Sequence, residues 1–202
     1  RHPEVSLRLM QGTPKQVAEM LLSDEADLGV ATEALADYGE LLALPCYPWT
    51  HLVVVPPGHA LAQEAAAGQR LNLARLAQCP LITYEPGYTG RSHIDEAFAR
   101  QGLSLNLVLS AMDADVIKTY VELGMGVGII AAIAYDEVRD AGLVALDARH
   151  LFAANTTRLA MRRGAWLRGY VYDFIHTFAP PLTPDLVKRA MAAEATGADP
   201  GL

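Results

Sequence analysis

The sequence predicts an α/β protein made of two units, joined where the chain crosses between them in extended segments. Three observations carry that prediction. Apolar residues switch repeatedly between the period-two spacing of strands and the wider spacing of amphipathic helices. A strand–helix–strand series opens the chain, which makes a parallel sheet the default. A second, longer series of the same kind occupies roughly residues 50–150. With 51% apolar and 19% charged residues among 202, the chain has material for a sizeable core. The same composition excludes disorder, a collagen-like repeat and a disulfide scaffold.

The elements follow in order. Residues 5–10, Val5-Ser6-Leu7-Arg8-Leu9-Met10, alternate as a half-buried strand does. Gln11-Gly12-Thr13-Pro14 breaks the run: Thr13 suits a helix cap and Pro14 the first helical position, with Val17, Met20 and Leu21 following at helical spacing. Residues 26–32 form a short apolar strand after an acidic turn. Residues 41–46 and 51–55 read as strands around Pro45 and Pro48, ended by Pro56-Pro57-Gly58. Residues 63–69, with three alanines and Gly68, read as a surface loop. A short helix over 73–77, a strand over 81–84 and a turn over 85–90 come next. The helix over 92–100 shares Ile94, Ala97 and Phe98 on one face, and Gly102 stops it. A strand over 105–110 leads to Asp113, which starts a helix turning Val116, Ile117, Tyr120, Val121 and Leu123 inward. Gly124 ends that helix before a strand over 127–130. A strand over 156–161, an amphipathic helix over 167–178 with Tyr170, Val171, Phe174 and Ile175 inward, and a last helix over 184–193 close the chain. Two such units imply a cleft between them, where small ligands prefer to sit.

Several function classes are excluded early. Sixteen basic against 23 acidic residues leave a net charge of −7, so the chain by itself has no general attraction for a phosphate backbone. No apolar run reaches the roughly 20 residues of a membrane span, so no membrane partner is expected. The opening Arg1-His2-Pro3-Glu4 has neither a start Met nor the apolar core of an export signal, and reads as an intracellular protein whose natural start lies upstream. Cys46 and Cys79 are too few for a structural metal site and read as inert buried thiols. Gly124-Met125-Gly126-Val127-Gly128 has the wrong spacing, between helix and strand, for a dinucleotide loop. No P-loop, nucleophile elbow, HExxH or paired CxxC occurs, and His2, His51, His59, His93, His150 and His176 lack metal-ligand spacing. No catalytic residue, metal or cofactor is therefore expected. Asp113-Ala114-Asp115 reads as a helix cap, not a general base, and Asn155-Thr156-Thr157 matches a glycosylation pattern by chance. Trp166, Tyr170, Tyr172, Phe174 and Phe178 read as one helix's apolar stripe and its flank.

What remains is a set of hydroxyls where strands end and helices begin: Thr13, Thr32, and Thr89 in Thr89-Gly90-Arg91-Ser92. Hydroxyls beside free backbone N–H groups suit a small anion or carboxylate without any bond being made or broken.

At this point longer runs match a known pattern. Gln11-Gly12-Thr13-Pro14, Ala31-Thr32-Glu33-Ala34-Leu35, Leu44-Pro45-Cys46-Tyr47 with Trp49, Tyr88-Thr89-Gly90-Arg91-Ser92, residues 113–120, Gly124-x-Gly126-Val127-Gly128 and residues 172–180 stand in collinear order over nearly the whole chain. Together they resemble the CysB branch of the LysR-type transcriptional regulators. The resemblance implies a type 2 periplasmic-binding-protein-like effector domain, two Rossmann-like subdomains joined by crossing strands. The first would comprise 1–47 with 155–202 and the second 50–152. It implies that Thr32 and Thr89 are ligand-binding threonines on opposite subdomains, that Trp49 and Tyr47 form cleft wall at the crossing, and that Gln11, Gly12 and Thr13 lie on a loop lining the cleft. The effectors implied are N-acetylserine or O-acetylserine, with sulfate or thiosulfate occupying or opposing the same site.

The same resemblance implies a cytoplasmic, non-enzymatic sensor for sulfur assimilation and cysteine biosynthesis that associates with itself as a dimer or tetramer. DNA contact would come only through a winged helix-turn-helix outside this chain. The linker helix and the first effector-domain strand with its Thr-rich turn would also lie outside it. Met112 stands where close relatives often carry Thr. Two alternatives remain at the level of sequence. A sulfate-type periplasmic binding protein of a transporter shares the architecture, and an acyl-serine enzyme would need a nucleophile–base pair that the sequence does not show.

Overall fold

The computed structural model describes residues 1–88 and 90–195. In chain order it contains α1 (Pro14–Leu22), β1 (Gly29–Ala31), β2 (Leu41–Trp49), β3 (His51–Val55), α2 (Ala60–Ala66), α3 (Leu73–Leu76), β4 (Leu81–Tyr84) and α4 (Arg91–Arg100). There follow β5 (Leu107–Ala111), α5 (Ala114–Glu122), β6 (Val127–Ala131), β7 (Val144–Asp147), β8 (Asn155–Arg162), α6 (Gly169–Phe178) and α7 (Pro184–Ala195). Single 3-10 turns span Glu33–Asp37 and Ala132–Ala134. The chain separates into two compact units: Arg1–Tyr47 with Thr156–Leu202, and Pro48–Asn155. Among the described residues, no helix is long and apolar enough to cross a membrane.

In the first unit the sheet has the order β1-β8-β2. β1 runs antiparallel to β8, with Val30 opposite Leu159, and the parallel pairing expected of the opening series is absent because residues 5–10 form no strand to pair with it. α1 begins as its sequence dictates. Thr13 Oγ1 accepts from Gln16 N–H at 3.2 Å, Gln16 Oε1 accepts from Thr13 N–H at 2.8 Å, and Pro14 fills the first turn. Ala18 and Leu21 then bury against Leu35, Leu41 and Ala160. On a second cluster, Leu42, Leu44, Leu159 and Met161 meet Val171 and Ile175 of α6 and Val187 of α7. Phe174, expected inward, is 40% exposed and stacks on Phe178 at the outer side of the helix, 6.4 Å between ring centroids. Residues 5–10 are not a strand: no ladder partner meets them among the described residues, and Leu7 and Leu9 stand 67% and 82% exposed. Alternation marks which faces a strand would present, but the ladder needs a neighbour to satisfy its N–H and C=O groups.

The second unit carries a five-stranded sheet, order β5-β4-β6-β3-β7. β4 lies parallel to both β5 and β6, whereas β3 is antiparallel to β6 and β7, making the sheet mixed. β3 enters from the crossing strand and not from a helix, so no crossover imposes a parallel pairing on it. Both faces are covered. Val53, Val55, Leu81, Val127 and Ile129 face Leu61, Leu76, Ile94 and Phe98 of α2, α3 and α4. The intervening Val54, Ile82, Tyr84 and Ile130 face Ile117 and Val121 of α5. Period-two alternation thus puts apolar side chains on two dry faces, which is why these strands read as continuous hydrophobic runs.

Two expectations fail locally for identifiable reasons. Residues 60–66 form α2 and not a loop: alanine has the highest helix propensity, His59 Nδ1 accepts from Leu61 N–H at 3.2 Å, and buried Leu61 anchors the turn. In α5, Ile117 and Val121 are inward as expected, but Val116 and Leu123 are 41% and 69% exposed, and Lys118 takes the buried place instead. β7 had no counterpart in the sequence reading, since Leu146 is its one buried side chain.

Candidate functional site

Helix starts decide where free donors exist. Thr13, His59, Asn72 and Asp113 each turn a side-chain acceptor onto the first N–H groups of their helices, and Thr183 Oγ1 does so for Leu186 N–H at 3.3 Å. Asp113 is such a cap as expected, accepting from Asp115 and Val116 N–H at 2.9 and 3.1 Å. Thr32 is different. It follows β1, stands as N-cap of the Glu33–Asp37 turn in extended backbone, and makes no capping bond, so its hydroxyl is not spent on its own helix. Beside it Glu33 is fixed, its Oε2 accepting from Thr156 N–H at 3.0 Å. Gln11 is exposed and Gly12 half-buried ahead of α1. Thr13 uses one lone pair in the capping box and keeps its hydroxyl proton to give.

The two crossing aromatics fall into separate units. Tyr47 is half-buried with its ring 6.0 Å from that of Phe178. Trp49 is buried in the second unit, edge-on to His51 at 5.2 Å, and His51 meets Phe152 at 5.6 Å. Thr89 lies outside the described residues. Its neighbour Gly90 is N-cap of α4 with φ +65°, a left-handed conformation natural to glycine, and brings no capping side chain. Arg91, the next residue, is 8% exposed. Its guanidinium donates to Tyr84 O and, from Nε, to Asp95 Oδ1 at 2.8 Å. Asp95 already balances that cation, and the start of this ten-residue helix itself favours a negative group.

Sequence reasoning did not single out Arg91, Asn155 or Lys118. Nothing in a sequence marks an arginine or lysine as buried. Asn155 drew notice only as part of a glycosylation pattern, yet it is fully buried. Lys118 donates to Asp140 Oδ1 at 2.9 Å, Asp115 Oδ1 at 2.9 Å and Ala134 O at 3.0 Å, which occupies all three ammonium protons. Burial would push its pKa down, but the two carboxylates outweigh that and hold it above the ordinary lysine value. It lines a cavity of about 390 Å³ with Asp113, Tyr135, Asp136 and Arg139 that contains none of the expected site residues. Burial pushes the Cys46 and Cys79 thiols up, which suits inert sulfur. Among the described residues no group of three or more His, Cys, Asp or Glu is placed to hold a metal ion.

A comparison with known families now decides the class. The family described as LysR substrate binding domain matches residues 1–181. The chain belongs to that family. As a LysR substrate binding domain it is 56% identical over 180 residues to the HTH-type transcriptional regulator SsuR of Burkholderia cenocepacia, covering 89% of this chain and 57% of that protein. It is 50% identical over 195 residues to the CysB regulator of the same organism, covering 96% and 61%. This chain therefore spans less than two thirds of the length of either relative. Among solved structures it resembles the cofactor-binding domain of the Cbl transcriptional regulator, with a TM-score of 0.83 and 45% identity over 90% of this chain and 78% of that one. The relatives are named as transcriptional regulators, which does not favour the transporter alternative, and the chain shares the fold of the Cbl domain, a type 2 binding-protein-like effector domain.

Proposed function

We propose that this domain senses a small anionic metabolite of sulfur assimilation, N-acetylserine or O-acetylserine, with sulfate or thiosulfate able to take the same place. Thr32 and Thr89 would hold the anion from the two units, with Gln11, Gly12 and Thr13 lining it and Tyr47 and Trp49 as wall. Thr89 enters this reading by its match to the family pattern alone. The observation that carries the proposal is Thr32. Among the described helix starts it is a capping-type residue that leaves its helix uncapped, and it sits at the strand end that the resemblance marks for ligand. Neutral hydroxyl and backbone donors can bind an anion reversibly, which suits relatives named as transcriptional regulators.

An effector acts only through differential affinity. A ligand that takes donors from both units binds one of their arrangements better and shifts the population toward it by that difference and no more. In the full regulator, which would work in the cytoplasm as a dimer or tetramer, that shift would respace DNA-binding domains that lie outside this chain. Titration calorimetry of N-acetylserine against Thr32→Val is the test. Losing a hydrogen bond to a charged group removes about 1.5–3 kcal/mol, so affinity is expected to fall about ten- to a hundredfold. Unchanged affinity would overturn the assignment.

A further inference from the structure

Asn155 is the buried polar side chain that the fold of the second unit leaves unexplained. It opens β8 at the last residue of that unit and is 0% exposed. Neither Nδ2 nor Oδ1 has a hydrogen-bond partner among the described residues. An unpaired buried polar group costs about 1–3 kcal/mol, and native proteins avoid it at the large majority of buried positions. An apolar residue of similar volume would remove that cost, so packing alone gives no reason for asparagine here. The amide has a definite target. Its Oδ1, Cγ and Nδ2 lie 2.1, 2.7 and 2.9 Å from the point where Gly90 would carry a Cβ. Gly90 is the N-cap of α4 and supplies no capping side chain. The carboxamide thus fills the space a side chain at the cap would take, at the positive end of a ten-residue helix and next to buried Arg91.

We propose that Asn155 is a specificity-determining residue, its amide pairing with an amide of the effector whose carboxylate docks at the N-terminus of α4. This rests on the anion-sensing function proposed above and narrows its ligand class. An asparagine amide offers a donor and an acceptor side by side, the complement of a secondary amide's C=O and N–H. Sulfate and thiosulfate offer acceptors only and would leave Oδ1 unpaired. N-acylated amino acids carry carboxylate and amide a few bonds apart, so the site selects them over bare oxyanions.

The experiment is calorimetric titration of this chain, wild type, Asn155→Leu and Asn155→Ala, with N-acetylserine and separately with sulfate, alongside thermal melts. N-acetylserine affinity should fall about tenfold or more in both variants while sulfate affinity stays within about twofold. The Leu variant should melt no lower than wild type, because it removes a buried orphan. Should Asn155→Leu fail to fold, Asn155→Ala reads the same ratio. Equal losses for both ligands, or none for either, would overturn the inference and make Asn155 structural. Wild-type protein binding neither ligand would instead overturn the functional reading beneath it.

Discussion

The two units complete their sheets in different ways. The Pro48–Asn155 unit is continuous in sequence, has five strands, and buries both faces of its sheet under helices. The other is assembled from the two ends of the chain, has three strands, and leaves residues 5–10 outside any sheet with Leu7 and Leu9 exposed. Residues 5–10 alternate as cleanly as any strand in the chain, yet form none. Hydrophobic pattern selects the face of a strand; a neighbouring backbone decides whether the strand exists. The contrast also bears on stability, because fully covered faces tolerate change poorly while open ones absorb it.

The largest test of that contrast is Asp140→Ala in the second unit. It removes one of the two carboxylates on Lys118, whose side chain is 9% exposed, and the acceptor of Asp136 N–H, leaving Asp115 and Ala134 O on the ammonium, and should cost about 2–4 kcal/mol in denaturant unfolding. A cost near that of a surface pair would show that this unit is looser than its burial implies. Next comes alkaline pH. Burial raises the Tyr84 hydroxyl to about 12, although it accepts a hydrogen bond from Ala131 N–H at 3.0 Å. Because the folded pKa lies above the unfolded value of about 10, the stabilisation is complete below pH ~10 and fades as pH rises toward ~12, amounting to about 3 kcal/mol in all. Unfolding measured across that window should steepen in wild type and flatten in Tyr84→Phe. An unchanged slope in the phenylalanine variant would assign the effect elsewhere.

The smallest test compares two glycines. A Cβ on Gly128 would stand 2.6 Å from Val54 Cγ2 and 2.9 Å from Val121 Cγ2, so Gly128→Ala should lose about 1–3 kcal/mol. In the first unit, Gly39 has nothing within 4 Å of its would-be Cβ, and Gly39→Ala should stay within about 0.5 kcal/mol of wild type. Gly29 of the first unit, whose would-be Cβ stands 2.6 Å from Val17 Cγ1, should lose as much as Gly128, so matching losses at Gly128 and Gly39 would show that local crowding does not set the cost.

Local signals were legible wherever the chemistry is local. The Thr13–Gln16 capping box, the Asp113 cap and Gly124 with φ +77° all involve partners a few residues away, so the sequence displays them directly. β4 was legible because four successive buried side chains leave one apolar run. α2 was misread because alanines and a nearby glycine look like a loop until Leu61 finds a core to bury in. The expected site divides the same way. Thr32 could be found as a hydroxyl after a strand, but that it leaves its helix uncapped is a matter of geometry.

By itself the sequence determined the α/β class, most helix starts and stops, the absence of recognisable catalytic motifs and the family. Each of these depends on residue type and short-range spacing. Tertiary structure alone decided that Asn155 is buried against Gly90, that Lys118 is buried on Asp140, and that residues 5–10 join no sheet among the described residues. Such outcomes depend on which distant groups meet, and partners 65 residues apart, as Gly90 and Asn155 are, leave no periodic trace in the chain.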